Sequence, residues 1–175
     1  MSAEVLAILE QAKTELLADA TLSSNYMQNP DPVTGDLRDP LFIAIDDYDV
    51  NALPDFDRYA LLLFLQTEEE AHDGGHNSKE GVYTIGIAAI VRRYDKLKSC
   101  YGSQPPDMGL IQLVHDAKEA LRSSMLNDLI DLTKNEFDDP VEYRLSYSEA
   151  RKEYYREATI PYRVRTEPAE MPDPH

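Results

Sequence analysis

Residues 59–95 read YALLLFLQTEEEAHDGGHNSKEGVYTIGIAAIVRRYD, and the rest of the chain is organised around them. Two apolar runs, 59–65 and 82–91, flank a polar, acidic, glycine-containing segment, 68–81. This pattern predicts a long β-hairpin with a large solvent-exposed loop. Both runs are apolar at nearly every position. A sheet with one wet face would alternate, so both faces of this hairpin need cover. Helices of the same chain are expected on one face. The other face is then expected to meet a second copy of the chain or a partner.

Working outward, residues 3–20 form an amphipathic pattern, with Val5, Ile8, Leu9, Ala12 and Leu16 at the helical period and Ser2 as a candidate N-cap. A breaker-rich connection over 23–40 carries NPDP, TGD and DP. LFIAIDD at 41–47 reads as a short strand and leads into a second acidic loop. Beyond the hairpin, Asp107 is placed to cap a second helix carrying Leu110, Leu113, Val114, Ala117, Leu121 and Met125, with a change of phase near Asn127. Finally, Tyr143, Leu145 and Tyr147, then Ala158, Ile160, Tyr162 and Val164, alternate with polar residues, which predicts two half-exposed strands joined by a turn at 148–152. Pro161 has no amide donor, so the last strand is expected at an edge or at a bulge.

The expected fold class is therefore α+β: a mainly antiparallel sheet built on a long β-hairpin, with helices packed on one face. The expected organisation is a single α+β domain over 1–167 and a disordered Pro-rich tail over 168–175. No apolar run reaches the roughly 18 residues of a membrane span. The N-terminus carries Glu4 and Glu10 and no basic start, unlike a signal peptide. One cysteine, Cys100, rules out an internal disulfide and fits synthesis in a reducing compartment.

The chain holds 33 acidic and 17 basic residues, a net charge of −16. That charge opposes binding to nucleic-acid phosphates. It is also uneven: 17 acidic against 4 basic residues in 1–90 give −13, and 16 against 13 in 91–175 give −3. A well-solvated acidic surface explains this. So does a head-to-tail contact between the acidic part of one copy and the more basic C-terminal part of the next.

Several groups could suggest chemistry. HDGGH at 72–76 brings His72, Asp73 and His76 together after three glutamates, but beside two glycines at a loop tip a solvated turn explains it better than a metal site. Asp46, Asp47, Asp49, Asp55 and Asp57 lack the spacing of a calcium loop. Cys100 and His115 are a lone pair of residue types with no motif around them. There is no P-loop, GxGxxG, GxSxG or HExxH. No catalytic residue, metal or cofactor is expected. The C-terminal tyrosines and arginines have the composition of protein interfaces, or of an ordinary amphipathic strand pair.

The order of elements resembles that of the tail terminator, or tail-completion, proteins of tailed bacteriophages. An N-terminal helix leads to DPLFIAIDD, then to the hairpin YALLLFLQ…VYTIGIAAIVRRYD, the helix GLIQLVHDAKEAL and the final strand YREATIPYRVRTE. The resemblance spans roughly 3–166 and rests on order and length, with no diagnostic motif. It implies a structural virion protein, made in the host cytoplasm and located in the tail and neck. Such a protein forms a hexameric ring on the head-proximal end of the tail tube, ends tube polymerisation and docks the head. Implied partners are further copies of itself, the tail tube protein and neck or connector proteins, with genomic DNA only passing through the lumen and no membrane. Other readings are a different head–tail connector component, or an acidic soluble adaptor or DNA-mimic inhibitor.

On this reading the expected subunit contacts are Leu61, Leu63, Leu65, Ile85, Ile87 and Val91 on the hairpin, each large side chain contributing about 1.5–3 kcal/mol when buried. Near the last strand they are Tyr155, Arg156, Tyr162 and Arg163. Glu68, Glu69, Glu70, Asp73 and Glu80 are expected in an exposed acidic loop facing a partner or a lumen.

Overall fold

A computed structural model describes residues 3–26, 33–35, 41–45, 58–72, 78–92, 100–102, 108–122, 140–148, 153–166 and 169–170. The elements are α1 (Ala3–Ala18), α2 (Ala20–Asn25), β1 (Phe42–Ile45), β2 (Tyr59–His72), β3 (Ser78–Arg92), α3 (Leu110–Arg122), β4 (Glu142–Ser148), β5 (Glu153–Arg165) and β6 (Ala169–Glu170). The sheet order is β1-β2-β3-β5-β4, with β6 on β3. All described pairs are antiparallel except β1–β2, which is parallel.

The hairpin is the centre of this sheet, and its two-sided apolar pattern follows from that position. Alternate residues Tyr59, Leu61 and Leu63 of β2 and Tyr83, Ile85, Ile87, Ala89 and Val91 of β3 join a core with α1 and α3. The expected apolar positions of α1, and those of α3 up to Leu121, are all buried in it. Met125 and Asn127 lie outside the described residues, as do Ser2, Asp107 and 46–57. The helix expected over 3–20 is divided. Asp19 takes an extended ψ of 123° and its Oδ1 accepts from Leu22 N–H at 2.9 Å, ending α1 and capping α2. An aspartate offers its carboxylate to free amides better than it extends a helix, and here it does so.

The opposite face holds a smaller cluster: Ala60, Leu62, Ala88 and Ile90, with Phe42, Ala44, Phe64 and Tyr155 packed against it. Its four central side chains are buried within the single chain. The expectation that this face stays open for a neighbour is corrected at this patch, which needs no second copy to leave water. Gly86 allows a close approach here. A Cβ on it would collide with Cζ of Phe64, whose ring lies across the strand pair.

The largest correction concerns the hairpin loop. The ladder does not stop at Leu65 but continues to His72↔Lys79, so 68–72 and 78–81 are strand. Gln66 is the irregularity: the register passes from Leu65↔Ile85 to Thr67↔Thr84. Main-chain hydrogen bonds carry this outer half, where residues 66–69 are exposed. The exposed residues of β2 here leave no apolar alternation, so pattern alone reads this stretch as loop.

At the far side, β4 and β5 occur as expected, with Tyr143↔Ala158 and Tyr147↔Tyr154 in register. Pro161 lies beyond the last β4 pair, Glu142↔Thr159, so its missing N–H breaks no rung to β4. Two residues of the segment expected to be disordered, Ala169 and Glu170, pair with Lys79 and Ser78.

Candidate assembly surface

Three sets of contacts fix where the hairpin leaves the packed layers. Tyr83 donates to Glu4 Oε2 of α1 at 2.5 Å. The ring folds back along its own strand to do so, and a Cβ on Gly81 would lie 2.6 Å from its hydroxyl. On the other edge of β3, Thr166 N–H donates to Gly81 O at 2.9 Å, and Gly81 N–H donates to Thr166 Oγ1 at 3.0 Å. The threonine hydroxyl thus takes the part of a carbonyl and adds one rung after β5 ends. β6 then rejoins the same edge of β3. Across the face, Arg163 Nη2 lies 3.5 Å from Glu69 Oε2, joining β5 to the outer half of β2. Nε of the same guanidinium is buried with no hydrogen-bond partner among the described residues.

The bulge at Gln66 changes which residues share a face. Before it, odd-numbered residues of β2 point to the helices. After it, Glu68 pairs with Tyr83 on the helix side, and Thr67 and Glu69 pair with Thr84 and Val82 on the other. One inserted residue is enough, because the side-chain period of a strand is two. Glu68 and Glu69 therefore present carboxylates to opposite faces of the sheet.

At the opposite margin, β4 exposes Tyr143 and Leu145, at 49% and 43% of their surface, beside exposed Glu142 and Arg144. Arg144 and Glu142 lie 3.9 Å apart, a loose pair in open solvent. Burial of part of its ring raises the Tyr143 hydroxyl pKa, with a smaller contribution from Cys100. Helix α1 adds exposed Leu6 and Leu17, and α3 adds Ile111.

The structure separates the residues expected to meet a neighbour. Leu61, Leu63, Ile85, Ile87 and Val91 are fully buried in the core with α1 and α3, and Leu65 packs against it. Tyr162 is buried there too. These side chains hold the chain to itself. Tyr155, Arg156 and Arg163 are half-buried and reach the surface. Glu68 and Glu69 are exposed, on a strand and not in a loop. Glu70 and Glu80 are likewise ladder residues, opposite Gly81 and Ala71. Asp73 and His76 lie outside the described residues, and His72 closes the ladder.

Among the described residues no group of three or more His, Cys, Asp or Glu is placed to hold a metal ion. No described helix is long and apolar enough to cross a membrane. Cys100 is buried, whereas His115 is exposed on α3.

Sequence reasoning missed one buried polar cluster. Tyr26, just after α2, donates to Asp116 Oδ2 at 2.5 Å, and Gln112 Nε2 donates to Asp116 Oδ1 at 2.9 Å. Tyr59 meets the Tyr26 ring edge-on, with centroids 5.2 Å apart, and donates to Met108 O at 2.8 Å. Burial, then the Asp116 carboxylate, drive the Tyr26 pKa far above its ordinary value. The only sequence signal was an aspartate in the middle of an apolar helix face. No pattern could name its partner 90 residues away.

No protein-family model matches the chain. No curated protein matches it either. Among solved structures, it is similar to a chain of "Virion of native gene transfer agent (GTA) particle", with a TM-score of 0.39 and 14% identity over 95% of this chain and 98% of that chain.

Proposed function

We propose that the protein is a structural, non-enzymatic component of a phage-like virion: a tail terminator that forms a ring on the head-proximal end of the tail tube. The ring ends polymerisation and provides the docking surface for the neck. The single observation that carries this proposal is the acidic outer half of the hairpin. It is a ladder of main-chain bonds clamped at its base by Glu4 and Thr166, and residues 66–69 along it are exposed. Ordered, exposed strand of this kind contributes little to the core and is suited to contact outside the chain.

Further support comes from the element order, which runs helix, strand, long hairpin, helix, strand pair as in the family that the sequence resembles. The uneven charge favours a heterologous, ring-closing contact. Acidic residues lining a lumen would keep DNA phosphates from sticking during passage. Of the residues first expected at the subunit contact, Tyr155, Arg156 and Arg163 are the ones with surface to offer. Glu68 and Glu69 face a neighbour or the lumen.

The test is to add the purified full chain to tail tubes assembled in vitro. The expected result is arrested elongation with one ring at one end of each tube, seen by negative-stain microscopy, and a ring mass by native mass spectrometry. Tubes that continue to elongate with no bound protein would overturn the proposal.

A further inference from the structure

Two lengths of strand edge pair with nothing among the described residues. One is 66–72 of β2, because β1 reaches only Ala60 to Leu63 on that edge. The other is the side of β4 facing away from β5. Unpaired strand edges are templates for another strand, and proteins cover them, charge them or use them. Neither is blunted by proline. The side chains described on them, Gln66 to Glu69 and Glu142 to Leu145, are exposed.

These edges lie towards opposite margins of the sheet, and their directions are fixed by the topology. β2 and β5 run one way; β3 and β4 run the other. A second copy set beside the first with its sheet facing the same way therefore brings its β2 antiparallel to β4. No inversion of the copy is needed. β4 and 66–72 are both seven residues long, and the face-matched register, with Glu69 opposite Arg144, pairs 66–71 with 142–147.

Face and charge agree with this alignment. After the bulge, Glu69 shares the Thr84 and Val82 face of the sheet, and Arg144, through Glu157 and Ile90, lies on that same face. Tyr143 and Leu145 lie on the other face, as does Glu68. Segment 66–81 has five acidic residues and one basic, net −4, whereas 142–165 has four acidic and six basic, net +2. In a chain of net −16, a positive segment that includes a free strand edge fits an acidic partner.

We propose that the 66–72 edge of one copy pairs antiparallel with β4 of the next, which places Glu69 and Arg144 on one face and continues the sheet from subunit to subunit. The contact is heterologous, so it builds the ring of the preceding section and rests on that proposal. It also explains the bulge, which turns Glu69 to the arginine side. The guest strand and β1 occupy successive lengths of one β2 edge, as β5 and β6 already do on β3.

The experiment is hydrogen–deuterium exchange on the full chain as a function of protein concentration, with native mass spectrometry alongside. Peptides covering 66–72 and 142–148 are expected to gain protection together as the oligomer forms. Arg144→Glu and Glu69→Arg are each expected to weaken association about fivefold, and the double variant to recover it, as one partly exposed ion pair predicts. Protection of β4 without 66–72, which signals β4–β4 self-pairing, overturns the proposal. A chain that remains monomeric at the highest attainable concentration overturns it, as do additive effects in the double variant. An oligomer with joint protection that fails to cap tubes would leave this contact standing and remove the terminator role. Capping without protection at either edge would do the reverse.

Discussion

The inner and outer halves of one hairpin are built by different physics. In the inner half, 59–65 against 85–91, side chains pack on both faces, with the α1–α3 core on one side and the Ala60–Leu62–Ala88–Ile90 cluster on the other. In the outer half, 66–72 against 78–84, the ladder continues while residues 66–69 are exposed. Hydrophobic burial dominates the first, at about 25 cal/mol per Å² of apolar surface. In the second, β3 still buries Val82 and Tyr83, while the exposed β2 residues opposite them are held by main-chain hydrogen bonds, each worth about 0.5–1.5 kcal/mol net. A continuous pair of strands can thus put stability at one end and a contact surface at the other.

The sharpest way to break this comparison is to truncate an inner side chain. Leu63→Ala should cost about 2–5 kcal/mol in urea unfolding, because the fully buried site between strand and helix leaves a cavity. A loss near zero would mean that the inner half is not the stabilising one. Next comes Tyr26→Phe, which leaves the Asp116 carboxylate with one fewer donor inside the protein and should cost about 1–3 kcal/mol.

The same variant tests a pH dependence. Folding raises the Tyr26 pKa, so the unfolded chain loses this proton first. Its contribution is therefore complete below the unfolded value of about 10 and declines as pH rises beyond it. Wild type should lose stability faster than Tyr26→Phe above that pH, and parallel curves would remove the effect.

Gly86→Ala sharpens the comparison on the second face. The Phe64 ring must swing away, and overpacking of this kind costs about 1–3 kcal/mol. Thr166→Val removes the hydroxyl that accepts from Gly81 N–H at the base of the outer half. It should cost about 0.5–1.5 kcal/mol, and amide exchange should quicken in 66–72 and 78–81 while the inner amides hold. Uniform acceleration would show that the two halves open as one unit. Smallest of all, Glu68→Ala should change stability by no more than about 0.5 kcal/mol, its carboxylate being exposed.

How far the sequence could be read follows the same division. The buried positions of α1 and α3, the inner hairpin and the alternation in β4 and β5 were all legible, since each leaves an apolar period of 3.6 or 2 in the chain. The outer half reads as loop in the sequence because its exposed strand residues leave no such period. Leu61, Leu63, Ile85, Ile87 and Val91 were expected at a subunit contact because periodicity reports that a residue is buried, not against what. Their partner proved to be the chain's own helices. Tyr162 was misplaced for the same reason.

The sequence by itself determined the α+β class, the places of the main elements and an uneven, strongly acidic charge. These are local or summed properties of the residues. Tertiary structure alone decided that both faces of the inner hairpin close within one chain, that a bulge at Gln66 turns Glu69 towards Arg163, and that two strand edges at opposite margins have no strand partner among the described residues. Each depends on which distant segments meet. A pairing such as Tyr26 with Asp116 or Gly81 with Thr166 is set by the packing of the whole molecule and leaves no periodic trace in either segment.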